Sequence, residues 1–327
     1  MIKKFTDALV RHNKIGLISH IRPDGDAIGS QLALYYWLHE QGVESLLFND
    51  DPVPANLIWL NDHHLIQVPT VELLDQCDAY LFIDGNHPDR FGKMAEYFKK
   101  TEKPVYLIDH HLDPPDGYFS AMISDTRASS TAFLVYTLFE LSGLHGIHYD
   151  VAEALYCGIV TDTDSFRFDS VTADTHFAVA EIIKKGKIKP SQIYEKIFDD
   201  KSISEFHLLG EVLRTVTIFC NNQIAITHVT QKMLSETGCT NDDLEGFVNY
   251  PLSLKGVKVS GLFLEQDDQI KISLRGKSLI DLNKIAKKFQ GGGHFNAAGA
   301  RHPGPLQKAV DDLVNVMASY IHDGSER

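Results

Sequence analysis

Four segments of this chain set oxygen or imidazole ligands where a run of apolar residues stops, and two more set an arginine or a glycine-rich stretch with a histidine. "ISHIRPDGDAIGS" carries His20, Asp24 and Asp26, "LFIDGNHPDR" carries Asp84, and "LIDHH" carries Asp109, His110 and His111. "GIVTDTDSFRF" adds Asp162 and Asp164, "ISLRG" ends on Arg275 and Gly276, and "FQGGGHFNAAGA" brings Gly291, Gly292, Gly293 and His294 together. Asp and His without thiolate suit a hard or borderline divalent cation, and the carboxylate excess leans to Mn²⁺ over Mg²⁺, Co²⁺ or Zn²⁺. So many carboxylates repel one another around one ion, whereas two ions sharing an Asp and a water relieve the repulsion. That is the arrangement of a dinuclear hydrolase, in which a bridging water attacks a phosphoryl group in line.

Position decides which letters count. The triplet Asp62-His63-His64 in "IWLNDHHLIQ" repeats the letters of Asp109-His110-His111, but it follows a short helical stretch with no carboxylate-rich loop beside it. It reads as a solvated helix end. In the glycine-rich segment, backbone N–H groups can approach an anion, and the fork of Arg275 suits a phosphate. Arg90 and Arg167 are further candidates of the same kind.

The elements that must position these residues follow from periodicity. "KIGLISH" (14–20), "ESLLFN" (44–49), "AYLFID" (79–84) and "VYLIDH" (105–110) read as buried strands alternating with amphipathic helices, the pattern of β-α-β units around a mainly parallel sheet. Such sheets take ligands at the carboxyl ends of their strands. Helices are expected over 27–41, 130–143, 151–163 and 172–186. A polar helical stretch follows, and then a different composition: hairpins turning at Asn221-Asn222 and Asp267-Asp268, a helix over 280–289, the glycine-rich loop and a final helix over 305–322. The fold class is therefore α/β, an N-terminal domain with a mainly parallel sheet flanked by helices plus a smaller α+β C-terminal domain, with the active site expected in the cleft between them.

Composition bounds the partners. The 327 residues exceed what one core usually supports, and 43% are hydrophobic. Four dispersed cysteines (Cys77, Cys157, Cys220, Cys239) give neither a disulfide framework nor a thiolate zinc site. No run approaches the ~18 apolar residues of a membrane span, so a cytoplasmic chain without a membrane partner is expected. A net charge of −13 argues against long nucleic acid, which is held by many Lys and Arg, but not against a small phosphorylated ligand at bound cations.

In order along the chain, "HIRPDGDAIGS", "DGNHPDR", "DHH", "SSTAFLVY", "GIVTDTDSFRF", "SLRG" and "GGGHFNAAG" resemble the motifs of DHH family phosphoesterases with a DHH-associated C-terminal domain, of the nanoRNase (oligoribonuclease) and pAp phosphatase type, where pAp is 3′,5′-bisphosphorylated adenosine. The resemblance implies a catalytic domain over 1–188, a helical linker over 189–212 and a substrate-binding domain over 213–327. It implies that His20, Asp24 and Asp84 hold one metal and that Asp26, Asp84, His110 and Asp162 hold the second. It also implies that Asp109 orients its neighbours, that His111 faces the substrate, and that Arg275, Gly291 to Gly293 and His294 grip a phosphate or nucleotide. The implied activity is Mn²⁺-dependent release of nucleoside 5′-monophosphates from short RNA and dephosphorylation of pAp, with cyclic di-AMP or pApA hydrolysis and a non-catalytic nucleotide sensor as alternatives. A homodimer is left open. Gln290 where glycine is usual, Asp164 where glycine is usual and Phe133 where an acidic residue is common bear on substrate preference.

Overall fold

The computed structural model describes residues 2–61, 64–143, 147–277, 280–293 and 295–323. The chain divides into two compact units, Met1–Asp200 and Lys201–Arg327.

In the first unit the order is α1 (Ile2–Leu9), β1 (Lys14–Ser19), α2 (Gly25–Glu40), β2 (Glu44–Phe48), β3 (Ile66–Gln67), α3 (Val71–Asp75), β4 (Ala79–Ile83), α4 (Ala95–Phe98), β5 (Val105–Asp109) and β6 (Ala121–Ser124). Four helices follow: α5 (Thr131–Leu141), α6 (Tyr149–Asp162), α7 (Ala173–Gly186) and α8 (Pro190–Phe198). The six strands form one parallel sheet in the order β3-β2-β1-β4-β5-β6. Every residue of β4 and β5 is buried, as strands covered on both faces require. One face packs against Ile28, Leu32, Val135, Leu155 and Ile159 of α2, α5 and α6. The other packs against an aromatic group that includes Tyr80, Phe82, Phe91 and Phe98.

The chain steps outward from β1 through β2 to β3 and then returns to continue on the other side with β4. The switch point, where neighbouring strands send their connections opposite ways, therefore lies between the ends of β1 and β4. Small residues bring the helices above that point together. A Cβ on Gly29 of α2 would stand 2.3 Å from the Ala154 carbonyl oxygen of α6, and one on Gly158 of α6 would stand 2.6 Å from Cβ of Ala132 in α5.

The second unit holds α9 (Ile203–Arg214), β7 (Thr217–Phe219), β8 (Ile224–Val229), α10 (Gln231–Thr237), α11 (Asn249–Leu252), β9 (Val259–Glu265), β10 (Ile270–Gly276), α12 (Leu282–Lys287), β11 (Gly292–Gly293), β12 (Ala297–His302) and α13 (Leu306–Asp323). Its sheet runs β11-β12-β10-β9-β8-β7, antiparallel except for the parallel pair β8 and β9. The turn after β7 passes through Cys220, Asn221 and Asn222, all left-handed. Of the polar helical stretch, α8 buries Ile193 and Ile197 in the first core and α9 buries Leu208, Leu209 and Val212 in a core of the second.

Two strands of the first sheet were not expected. β3 has two residues and β6 is a half-exposed edge, so neither carries a buried apolar run. The glycine-rich loop is corrected as well, because it contains β11 and leads directly into β12. A Cβ on Gly291 would lie 2.0 Å from the Gly299 carbonyl oxygen, and one on Gly293 2.5 Å from that of Ala297. These glycines let two backbones meet.

Candidate metal centre

The centre is assembled from the strand ends around the switch point. His20 follows β1 and Asp84 follows β4, while Asp109 closes β5 with His110 and His111 directly behind it. Asp24 caps α2, its Oδ1 accepting the N–H of Asp26 at 3.1 Å and of Ala27 at 3.0 Å. Asp26 sits in the first turn of that helix and Asp162 is the last residue of α6. The close approach of α2 to α6 thus serves one end: carboxylates from two helices face Asp84 and the imidazoles that follow β1 and β5.

Among the described residues, three groups each bring their ligand atoms within 4.8 Å of one another: His20, Asp24 and Asp84; Asp26, His110 and Asp162; and Asp84, His110 and His111. Asp84 belongs to two of them. His20 Nε2 is 3.3 Å from Asp84 Oδ2, and His110 Nε2 is 3.7 Å from Asp84 Oδ1, 3.3 Å from Asp162 Oδ2 and 3.9 Å from Asp26 Oδ2. Both imidazoles are anchored through the other nitrogen. His20 Nδ1 bonds the Ile21 carbonyl at 2.8 Å and His110 Nδ1 bonds that of Ala128 at 3.2 Å. A ring that donates from Nδ1 to a carbonyl turns the lone pair of Nε2 inward, which is how metal-ligating histidines are held.

Asp109 is fully buried and faces His111 rather than the centre. Its Oδ1 accepts from His111 Nδ1 at 2.7 Å and its Oδ2 from the His111 backbone N–H at 2.9 Å. His111 Nδ1 also lies 3.6 Å from Asp84 Oδ1.

The electrostatics show a cluster with too much negative charge for its surroundings. Burial, then the charges of Asp84 and Asp162, push the Asp26 carboxyl well above the usual carboxylate range. Burial also works against the Asp84 charge, but the His20 hydrogen bond and the charges of His111, His20 and His110 outweigh it and hold Asp84 low. His20 and His110 are raised despite burial, His20 by its Asp84 bond and by Asp24, His110 by Asp84, Asp26 and Asp109. Divalent cations are the partners such a set of buried carboxylates and lone pairs fits.

Asp84 has a left-handed backbone, φ +56°, costly for a residue with a side chain though less so for Asp than for most. Thr131 supports it from α5, donating its hydroxyl to Asp84 Oδ1 at 2.8 Å. The first two N–H groups of α5 close on Asp26, Thr131 N to Oδ2 at 2.6 Å and Ala132 N to Oδ1 at 2.7 Å. Sequence reading noticed "SSTAFLVY" but assigned no role to Thr131. The signal available was a Ser-Ser-Thr cap before an apolar helix.

The remaining candidate residues belong to none of the three ligand groups found among the described residues. Asp164 pairs with Arg167 at 2.8 Å instead of joining the ligand groups. Arg275 is half-buried on β10 opposite Ala297, its Nη1 donating to the Leu274 carbonyl at 3.0 Å. The Gly291 N–H is taken by the Ala286 carbonyl at 3.0 Å, and Gly292 and Gly293 form β11. His294 lies outside the described residues, as do Asp62 and His63; His64 belongs to none of the three ligand groups.

A parallel sheet whose central strand ends gather carboxylate and imidazole in this way defines a metal-dependent hydrolase, here a phosphoesterase. The chain belongs to the DHH family: its residues 14–159 match the "DHH family, N-terminal domain" and residues 221–323 the "DHHA1 domain". It is 31% identical over 306 residues to the bifunctional oligoribonuclease and PAP phosphatase NrnA of Thermus thermophilus, covering 93% of this chain and 89% of that protein. The protein of the same name from Bacillus subtilis is 29% identical over 293 residues, covering 88% and 89%. The crystal structure of an exopolyphosphatase-related protein from Bacteroides fragilis superposes with a TM-score of 0.91 at 32% identity, covering 97% of this chain and 96% of that one. Among the described residues, no helix is long and apolar enough to cross a membrane.

Proposed function

We propose that this chain hydrolyses very short RNA oligonucleotides to nucleoside 5′-monophosphates and removes a phosphate from pAp, using two divalent cations, Mn²⁺ first among them. The observation that carries this reading is the position of Asp84 in two ligand groups at once, in a chain similar along nearly its whole length to oligoribonuclease and PAP phosphatase relatives. His20, Asp24 and Asp84 would hold one ion; Asp26, Asp84, His110 and Asp162 would hold the other. Ions so held supply Lewis acidity to a phosphoryl oxygen and bring the pKa of a water down toward neutrality.

The protein's own contribution is orientation. Thr131 and the α5 amides fix the carboxylates of Asp84 and Asp26, so they do not have to reorient during turnover. Asp109 holds His111 through Nδ1, which leaves its Nε2 to face the substrate phosphate or the leaving oxygen. Arg275, Gly291 to Gly293 and His294 would take a phosphate or nucleotide of the substrate, and a net charge of −13 disfavours long strands.

The test is a parallel assay with Mn²⁺ of pAp, 5′-labelled RNA dimers to pentamers, cyclic di-AMP, pApA and short polyphosphate. Mononucleotide release that is fastest from the shortest RNAs, together with loss of phosphate from pAp, is expected. If neither the RNA dimer nor pAp is consumed, the reading is wrong.

A further inference from the structure

Arg90 carries the one positive charge of its turn that no carboxylate takes. In the 3₁₀ segment Pro88–Met94 the neighbouring charges are all engaged: Asp89 with Lys99 at 2.6 Å and His87 at 3.3 Å, and Lys93 with Asp50 at 3.8 Å. The half-buried Arg90 guanidinium has no hydrogen-bond or ion-pair partner among the described residues. Its backbone is nonetheless tied to the centre, because the Arg90 carbonyl accepts the N–H of Ile21, the residue after His20, at 2.8 Å. Arg167, also a candidate for a phosphate, is instead held by Asp164 at 2.8 Å.

The turn that carries this guanidinium is hydrogen-bonded to the loop of His20 and Asp24, where a bidentate ion pair with a carboxylate would ordinarily form. Here Asp24 faces the helix amides it caps, Asp84 faces His20 and Thr131, and Asp50 faces the Lys93 N–H at 3.0 Å. The fork is left for an anion that arrives from outside. We propose that Arg90 grips a non-bridging oxygen of the substrate's phosphate on the His20 side of the centre, a binding role distinct from metal ligation. The inference rests on the phosphoesterase reading above and names one residue that would recognise the reacting group.

Calorimetric titration of the Mn²⁺-loaded protein with inorganic phosphate tests it, alongside a separate Mn²⁺ titration and thermal melts. Arg90→Gln should weaken phosphate binding about 10- to 100-fold, the worth of a charge-assisted contact, with Mn²⁺ affinity and Tm unchanged. Arg90→Lys, which keeps the charge but not the fork, should fall between, and it decides the matter if Arg90→Gln does not fold. With pAp the loss should appear mainly in KM. Unaltered phosphate affinity in both variants overturns the proposal, as does loss of Mn²⁺ from Arg90→Gln or a wild type that binds no phosphate. A wild type that binds phosphate through Arg90 but hydrolyses neither pAp nor RNA leaves Arg90 assigned and refutes the substrate reading instead.

Discussion

Asp84 shows how much one side chain has to reconcile. It takes a hydrogen bond from Thr131, faces three imidazoles and sits between two ligand groups, all from a left-handed backbone. Asp84→Asn keeps its shape and removes its charge. The variant should therefore fold, lose both ions in a Mn²⁺ titration, and lower kcat/KM by ~10³-fold or more, since several kcal/mol of transition-state charge stabilisation go with the metals. The strand-end ligands were legible because a carboxylate or imidazole directly after a buried apolar run breaks the pattern around it. The backbone conformation of Asp84 was not legible, because nothing local in "LFIDGN" demands it; the packing of the finished sheet edge does.

At the scale of elements, the N-terminus of α5 acts as a clamp on residues more than a hundred positions earlier. Thr131 and Ala132 meet Asp26 across 105 and 106 residues of sequence, and no short-range pattern could have announced that. Thr131→Val removes one hydroxyl bond and leaves the helix amides in place. It should cost about 1 kcal/mol in denaturant unfolding and weaken Mn²⁺ binding about 10-fold, the usual reach of a group that orients a ligand. Gly158→Ala tests the spacing of α2, α5 and α6, because its new methyl would meet Ala132 and come within 3.0 Å of Asp26 Oδ1. A loss of about 1–3 kcal/mol in the same unfolding measurement is expected, with a larger loss of metal than stability alone accounts for. The four long strands and the main helices were legible from periodicity. β3, β6 and the β11–β12 pair were not, since the first two are short or half-exposed and the third is built from glycine and alanine, whose role there is close backbone contact.

For the whole molecule, the centre makes stability depend on pH with a sign that the ions should reverse. Asp26, His20 and His110 bind protons more tightly in the folded chain, so their contribution is lost as pH rises above 3.8 for Asp26 and above 6.5 for the imidazoles. Asp84 has the opposite sign and is lost on acidification below 3.8. In chelator, Tm should fall as pH climbs from ~5 to ~8, while with saturating Mn²⁺ it should rise over the same range, because the ions need the deprotonated atoms. A Tm with the same slope in both conditions would show that the cluster holds no ion. That an α/β half precedes a smaller α+β half was legible from the change in composition across the polar helical stretch, whereas the division of that stretch between two cores depends on tertiary packing. The left-handed turn at Asp84 has one more consequence. Glycine there would relax the backbone, but it would also take away the charge that faces His20, His110 and the Thr131 hydroxyl, so the chelated Asp84→Gly chain should melt earlier than the chelated parent at neutral pH. Selection by heat alone would thus retain the strained residue at position 84, which the electrostatics of the fold hold in place as firmly as turnover does.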